Sequence, residues 1–417
     1  MRPALLAAAT LIAATPVQAD TVCEWMDFVR STEEAASPPA DSAAKPDHAH
    51  ARSQAALAMF EALNAIDHRY QSYLRLRPGD ARASQQAAAI TAAYKVLAFH
   101  FPSQKQVLED SYALAMDEIT DARARDAGRE IGEKAAKLAL KAGNIDPRTA
   151  QHPYRPRATS GVWVPTALPL TEPFYVAFRP WFMDRADSVR PGPPPPLTSE
   201  RYARDLQEVQ RLGRVDSRAR TAHQTLMAKY RITPDMMPAL RTEADQNGRR
   251  LVDNARLFAL FEMISNDGSI AMSDAKLHYN FWRPITAIRN ADQDGNPATS
   301  PDASWIPLIR TPNHPEYPCA HCIYAGAWGE LMKSVEGDAP PWGVRVATRS
   351  VPNAAIQVLP SWDRWVAEVN LSRTLGGVHY RFSNEAGEAM GRKITRIALA
   401  KAMRPLPPAE VRPAAGQ

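Results

Sequence analysis

At residues 276–284 the chain reads Lys276-Leu-His-Tyr-Asn-Phe-Trp-Arg283-Pro284, and two stretches downstream are also rich in basic and polar side chains. The two are His314-Pro-Glu-Tyr-Pro-Cys319-Ala320-His321-Cys322 and Ser372-Arg373-Thr-Leu-Gly-Gly-Val-His379. A lysine supplies a point charge, and an arginine supplies a planar fork of donors that matches phosphate-like oxygens. Histidine can donate, accept, coordinate or attack. Together the three stretches predict a site that holds a tetrahedral oxyanion.

The first stretch has helical spacing. Lys276 and Arg283 are seven residues apart, which is two helical turns, so both side chains can project from one helix face. Pro284 either kinks that helix or marks where it ends. A surface helix with two solvated charges would give the same pattern, but the neighbouring Phe281 and Trp282 favour a buried position.

The second stretch is a proline-rich loop that leads into an apolar run, so we expect a helix N-terminus there. Unpaired N–H groups and the helix dipole favour an anion at such a point. Cys319 and Ala320 are small enough to let an oxyanion approach the backbone, and His321 would lie in the first turn beside it. Taken alone, a histidine that only caps the loop explains the pattern equally well.

In the third stretch Arg373 and His379 are six residues apart, and Gly376 and Gly377 leave backbone room between them. Alone, this pattern is more typical of a solvated arginine and a capping histidine. The conjunction of all three stretches in one chain favours a site.

Outward from these stretches, apolar residues recur at helical spacing along most of the chain. The predicted helices cover residues 50–73, 84–99, 104–121, 123–142, 198–213, 217–229 and 247–267, and the last of these has a wide apolar stripe typical of a central buried helix. Alternating runs rich in Val, Ile and Thr are almost absent. The predicted fold class is therefore all-α, a helical bundle with a long proline-rich irregular segment.

The chain divides into five predicted segments. They are a signal peptide at 1–19, a partly ordered lead-in at 20–49, an N-terminal helical part at 50–250, an anion-site part at 251–403 and a disordered tail at 404–417. The signal peptide combines Arg2, a short apolar core and the cleavage site Val17-Gln18-Ala19. Within the N-terminal part, segment 144–200 is proline-rich and carries aromatic residues, so we expect it to lie over the helices and form part of a cleft wall. Those aromatics are Trp163, Phe174, Tyr175, Phe178, Trp181 and Phe182.

Composition excludes several classes of partner. The net charge of +5 is small for 417 residues and the basic residues are dispersed, so nucleic acid is not predicted. No run after the signal is long and apolar enough to cross a bilayer, and we expect a secreted or periplasmic protein. Ala-rich helix faces are compatible with a homodimer, although no pattern specifies one.

Of the three cysteines, Cys319 and Cys322 form a C-x-x-C motif that could close into a disulfide. The same motif occurs in thiol-redox proteins, but that function would need a βαβ context that this chain lacks.

The three stretches together resemble the vanadium-dependent haloperoxidases and the type 2 phosphatidic-acid-phosphatase (PAP2) superfamily that shares their site. The family pattern is Lys-x6-Arg-Pro, then Pro-Ser-Gly-His, then Ser-Arg-x5-His-x3-Asp. The matching positions here are Lys276, Arg283, Pro284, Pro318, His321, Ser372, Arg373 and His379. The lead-in from His314 to Pro318 is similar to the exported bacterial haloperoxidase-like branch.

The resemblance implies a role for each residue. Lys276, Arg283 and Arg373 would neutralise the equatorial oxygens of vanadate or phosphate, with Cys319 and Ala320 also at the oxyanion. His379 would be the ligand to vanadium, or the nucleophile toward a phosphoryl group. His321 would be the acid–base group, and His314 falls where the family places a residue that affects halide oxidation.

Three positions depart from the family pattern, since Cys319 replaces a serine, Ala320 a glycine and Ser383 the final aspartate. A thiol donates more weakly than a hydroxyl and is an oxidation target. Loss of the aspartate removes the carboxylate expected to orient His379. We therefore expect Cys319→Ser together with Ser383→Asp to raise activity.

The leading hypothesis is an exported haloperoxidase-like enzyme that uses vanadate and hydrogen peroxide to oxidise a halide. A close alternative is an acid phosphatase that acts on a soluble phosphomonoester through a phosphohistidine and needs no vanadate. A third is a degenerate, non-catalytic oxyanion-binding protein, which the three departures make plausible.

Overall fold

The computed structural model describes residues 20–37, 48–142, 157–166, 178–246 and 248–415. Its helices in these ranges are α1 (Thr21–Ala36), α2 (His48–Ile66), α3 (Gln85–His100), α4 (Lys105–Asp117), α5 (Ala122–Ala142), α6 (Glu200–Leu212), α7 (Ala222–Tyr230), α8 (Met237–Ala244), α9 (Leu251–Tyr279), α10 (Pro284–Arg289), α11 (Ala320–Glu336), α12 (Trp362–Leu375) and α13 (Arg381–Lys401). Strands β1 (Pro234–Asp235), β2 (Val344–Thr348) and β3 (Gln357–Leu359) form a small antiparallel sheet in that order. The all-α prediction is confirmed.

Helix α9 is the centre of the molecule. It packs against α2 on one side and against α11 and α13 on the other, and most of its 29 residues are buried. A helix that is apolar nearly all round must be surrounded by others. The predicted central helix at 247–267 is thus correct in place but too short, because the structure continues it to Tyr279 and so brings Lys276 onto its last turn.

Helices α11 and α13 approach each other closely, and this contact places the loop before α11. A Cβ at Gly391 would lie 1.9 Å from the carbonyl oxygen of Ile323, and one at Gly387 would lie 2.5 Å from that of Cys319. Both distances are far below van der Waals contact, so glycine is required at these positions. The Cys319 loop therefore packs directly on the backbone of α13.

Two segments are more ordered than predicted. The lead-in at 20–49 contains α1, whose N-cap Asp20 accepts from the backbone of Val22 at 2.7 Å and whose residues Val22, Met26 and Val29 are fully buried. The tail is not disordered over 404–415, because it pairs with the segment after α2. His68 N–H donates to the carbonyl of Arg412 at 2.8 Å, Arg412 N–H returns a bond at 3.0 Å, and Ala414 is buried. These pairings join distant parts of the chain, so local periodicity carries no sign of them.

The proline-rich segment is irregular where it is described, apart from one 3-10 turn at Ala186–Val189. Residues 178–199 lie along α9, and Pro193 to Pro196 line a cleft of about 750 Å³ together with Tyr317 and Phe382. The predicted part in a cleft wall is confirmed for these residues. Phe174 and Tyr175 lie outside the described residues, as does the predicted signal peptide at 1–19. Among the described helices, none has the length and apolar character to cross a bilayer.

Asp267 on α9 anchors this segment, since its carboxylate accepts from the backbone N–H groups of Trp181 at 2.6 Å and Phe182 at 2.9 Å. Burial raises its pKa to about 7. Because the folded-state pKa is raised, the stability linked to this group is fully present below the unfolded value and is lost as pH rises through about 7.

We expect Asp267→Asn to destabilise the protein by ~1–3 kcal/mol, because its amide nitrogen would face a backbone donor. The deficit relative to wild type should be larger at pH 5 than at pH 8, as measured by urea unfolding at both pH values. Asp274→Asn is the matched control, since Asp274 binds the same segment through the partly exposed Arg190 at 2.8 Å. A pH-independent deficit in Asp267→Asn would contradict the linkage.

Candidate active site

Lys276 and Arg283 do not share a helix face, which corrects the prediction from their spacing. Helix α9 ends at Asn280, which adopts the left-handed conformation with φ of 45°, and Arg283 is the N-cap of the next helix, α10. Pro284 occupies the first turn of α10, where its missing N–H is not needed. The helix is interrupted between the two residues, and both side chains still reach one buried place.

The ammonium group of Lys276 holds the loop before α11. It donates to the carbonyl oxygens of Pro315, Glu316 and Pro318 at 2.8, 2.8 and 2.7 Å. Three acceptors match the three donors of an ammonium group. Lys276 thus fixes this loop and places its positive charge behind it.

Arg283 joins the first and third stretches. Its Nε donates to the carbonyl of His314 at 3.0 Å, and Nη1 donates to the carbonyl of Val378 at 2.9 Å. Nη1 also lies 3.1 Å from Nε2 of His379, and Nη2 lies 3.0 Å from Nδ1 of His314. Since a guanidinium can only donate, Nε2 of His379 is the acceptor in its contact. Nδ1 of His314 also lies 3.1 Å from the carbonyl oxygen of Pro315, so its contacts with Arg283 and Pro315 require opposite tautomers.

His379 is held on its other side by a carboxylate. Its Nδ1 lies 2.7 Å from Oε1 of Glu316, and the same oxygen accepts from the N–H of Tyr380 at 3.2 Å. Ser383 lies beside Glu316 closely enough to lower the pKa of that carboxyl, although its hydroxyl forms no hydrogen bond of normal geometry among the described residues. The predicted loss of a carboxylate at His379 is therefore wrong, because Glu316 supplies one from a different stretch.

The electrostatics of the pair follow from burial. Burial together with the charges of Arg283, Lys276 and Arg373 holds the pKa of His379 well below its usual range, so the ring is neutral. Burial raises the pKa of Glu316 to about 7, against the opposing effect of Arg283 and Lys276. Because Nε2 faces the Nη1 donor of Arg283, the ring proton lies on Nδ1, toward Glu316.

Arg373 is a buried cation with unmatched hydrogen-bond donors. It is 1% exposed, and its Nε and Nη1 atoms have no hydrogen-bond partner among the described residues. Burial and the charge of Arg283 lower its pKa to about 9. Ser372, its neighbour in the motif, donates instead to the carbonyl of Val369 at 2.6 Å. A buried cation with unmatched donors indicates a place for an anion.

The other two histidines lie at the partly exposed side of this cluster. His321, in the first turn of α11, has Nε2 at 2.8 Å from the carbonyl of Ile232 and donates to it, so Nδ1 is the acceptor nitrogen. Burial and the charge of Arg373 lower the pKa of His321 to about 3. Burial and the charges of Lys276 and Arg283 hold the pKa of His314 well below its usual range. Both rings are neutral.

Cys319 is the N-cap of α11, as expected, and Ala320 is its first residue. Cys319 and Cys322 form a disulfide, and both are fully buried. The Cys319 sulfur accepts from the N–H of Cys322 at 3.2 Å, and as part of a disulfide it has no proton to donate. Serine at this position would add a hydroxyl donor at the helix N-terminus.

Cys319→Ser is accordingly expected to raise the affinity for orthovanadate by about 10- to 100-fold, because a hydrogen bond to a charged group contributes roughly 1.5–3 kcal/mol. Titration calorimetry under reducing and oxidising conditions measures the change. The control is Cys322→Ala, which opens the disulfide without adding a hydroxyl. An equal gain in both variants would show that the hydroxyl is not the cause.

All three stretches thus meet in one place, and they lie in a region that is similar to a known family. The family model of the VCPO second helical-bundle domain matches residues 256–407, which include every site residue described above. This match supports a relationship between residues 256–407 and the vanadium haloperoxidase superfamily. The vanadium chloroperoxidase of Curvularia inaequalis is 32% identical over 91 residues, which cover 19% of this chain and 14% of that relative's length.

Solved structures extend the likeness of fold over nearly the whole chain. A bacterial vanadium-dependent iodoperoxidase matches with a TM-score of 0.72 and 18% identity, covering 94% of this chain and 98% of its own. A holo-type bacterial vanadium-dependent chloroperoxidase matches with a TM-score of 0.64 and 17% identity, covering 92% of this chain and 93% of its own. At such identities the comparison establishes a shared fold. The N-terminal helices are therefore part of the vanadium haloperoxidase fold.

Sequence reasoning assigned no role to Glu316, although it lies inside the quoted second stretch. The available signal was a single acidic side chain between prolines in a loop that is otherwise apolar or basic. Burial of such a group requires a partner. Which partner it meets depends on the approach of residues 314–318 to α13, and spacing does not reveal that.

Proposed function

We propose that this chain is an exported haloperoxidase-like enzyme that binds vanadate and uses hydrogen peroxide to oxidise a halide. The observation that carries the proposal is Arg373, a fully buried guanidinium with unmatched donors beside Arg283 and Lys276. A tetrahedral oxyanion would supply both the missing acceptors and the missing negative charge. Export rests on the predicted signal at 1–19.

The donor set fits vanadate. Arg373 would donate to its oxygens, and Arg283 and Lys276 would add positive charge from behind the loop. His379, neutral and with Nε2 as an acceptor, would be the ligand to the metal. Bound vanadate would supply a Lewis-acid centre that activates hydrogen peroxide.

His321 and His314 would handle protons at the partly exposed side of the site. In the anion-free state both are neutral because burial lowers the pKa of each ring and nearby positive charges lower it further. A bound anion would offset those charges and so raise the pKa of each ring. His321 would then serve as the acid–base group beside the anion.

The neutral His379 also favours a second candidate, an acid phosphatase. A histidine whose Nδ1 proton faces a carboxylate presents Nε2 as a nucleophile, which is what attack on a phosphoryl group requires. This function uses the same residues without a metal.

Calorimetric titration of the purified mature protein with orthovanadate and with phosphate tests the proposal. We expect tight orthovanadate binding, followed by peroxide-dependent oxidation of iodide or bromide by the loaded protein. Hydrolysis of p-nitrophenyl phosphate without halide oxidation would assign the phosphatase instead. Binding with no turnover in either assay would identify a non-catalytic oxyanion-binding protein, and no binding of either anion would refute the site.

A further inference from the structure

We propose that Glu316 is the positioning residue for His379, and that it takes the place of a carboxylate at position 383. The inference deepens the proposed function, on which its consequence for anion binding rests. Oε1 of Glu316 lies 2.7 Å from Nδ1 of His379, and each side chain has at most 1% of its surface exposed. On the opposite edge of the ring, Nη1 of Arg283 lies 3.1 Å from Nε2. The ring is thus held from both sides, with its proton on Nδ1.

Glu316 is itself fixed by its backbone. Its N–H donates to the carbonyl of Phe281 at 2.9 Å, and its own carbonyl accepts from Lys276 at 2.8 Å. Lys276 lies on the last turn of α9, and Phe281 lies just after that helix. A continuous set of bonds therefore runs from the end of α9 through the loop to His379, so the loop positions the imidazole as well as lining the site.

Position 383 lies four residues after His379, in the first turn of α13, and is fully buried beside Glu316. An aspartate there would place a second carboxylate in the same dry space. Two like charges so close, without water, oppose each other strongly. The serine at 383 and the glutamate at 316 are therefore complementary. Of the predicted double change, Cys319→Ser together with Ser383→Asp, we now expect the Ser383→Asp part to lower activity.

The direct test is the tautomer of His379 in ligand-free protein labelled with 15N-histidine, measured by NMR and assigned with His379→Ala. We expect Nδ1–H in wild type. We also expect it in Glu316→Gln, because two donors, His379 Nδ1 and Tyr380 N–H, converge on the same oxygen and select the amide oxygen for that position. Glu316→Met, which has no acceptor, should lose this tautomer.

The second test is orthovanadate affinity. Glu316→Met should lower it by about 10- to 100-fold, which is the usual cost of removing a partner of a metal-binding histidine. Ser383→Asp should also lower it in the wild-type background, yet should recover most of the loss in the Glu316→Met background. Thermal melts of each variant show whether the fold is retained.

Two results would overturn the inference. One is an unchanged tautomer and affinity in Glu316→Met, and the other is a gain in affinity for Ser383→Asp in the presence of Glu316. If Glu316→Met does not fold, the effect of Ser383→Asp on affinity in the presence of Glu316 still decides the inference. Failure of wild type to bind orthovanadate would refute the proposed function only, since the tautomer of the ligand-free ring still decides the role of Glu316.

Discussion

Arg373→Met is expected to abolish orthovanadate binding and at the same time to stabilise the ligand-free protein. The guanidinium is fully buried with two nitrogens lacking acceptors, and burial lowers its pKa to about 9. Replacing such a charge by an apolar side chain of similar length should stabilise the fold by ~1–4 kcal/mol. Loss of two charge-assisted hydrogen bonds, each worth roughly 1.5–3 kcal/mol, should weaken anion binding by about 100-fold or more.

Urea unfolding and calorimetric titration measure the two effects on the same sample. The matched control is Arg231→Met. Arg231 is equally buried, and its Nε and Nη1 also lack a partner among the described residues, but its Nη2 donates to the carboxylate of Glu368 at 2.8 Å. Removing Arg231 leaves a carboxylate with one arginine partner fewer, so this variant should lose stability rather than gain it. A loss of stability in Arg373→Met would show that its charge is compensated in the ligand-free protein.

His379→Ala should remove peroxide-dependent halide oxidation altogether and lower orthovanadate affinity by more than ~100-fold. Changes to the partners of a metal-binding histidine already cost about 10- to 100-fold, so loss of the ligand itself should cost more. Removing the ring also leaves the Glu316 carboxylate without its closest partner. Added imidazole should restore part of the binding if the Nε2 lone pair is what the anion requires.

His278→Ala is the control for this variant, since His278 is exposed on the last turn of α9 and belongs to the same motif stretch without reaching the site. It should bind and turn over like wild type. Retention of tight orthovanadate binding in His379→Ala would mean that the arginines hold the anion alone. In that case His379 would not be the metal ligand.

The composition of the site could be predicted because its groups are recognisable by type. Lys276, Arg283, Arg373, His314, His321 and His379 all lie in one cluster, as predicted. Their detailed partners could not be predicted. Lys276 was expected to face the oxyanion, yet its ammonium is matched by three backbone carbonyls, because a loop brought close by tertiary packing presents them in one direction.

The helices, like the site, could be predicted only in part from the sequence. Periodicity locates α2, α3, α5 and the central α9 because each buries an apolar surface that repeats with the helical turn. It places Lys276 and Arg283 on one helix, because seven residues equal two turns, and it gives no sign of the left-handed Asn280 that ends α9 between them. A single capping residue changes the direction of the chain without changing the apolar pattern.

By itself the sequence indicated the all-α class, the three stretches of the candidate site and the superfamily that they resemble. These depend on residue type and on short spacings, which are local properties. Tertiary structure alone decided that Glu316 replaces the carboxylate missing at position 383, that Arg373 is left without an acceptor and that Cys319 lies in a disulfide. Each of these depends on which distant backbones approach within hydrogen-bond or covalent distance, and that is set by the packing of α9, α11 and α13 as a whole.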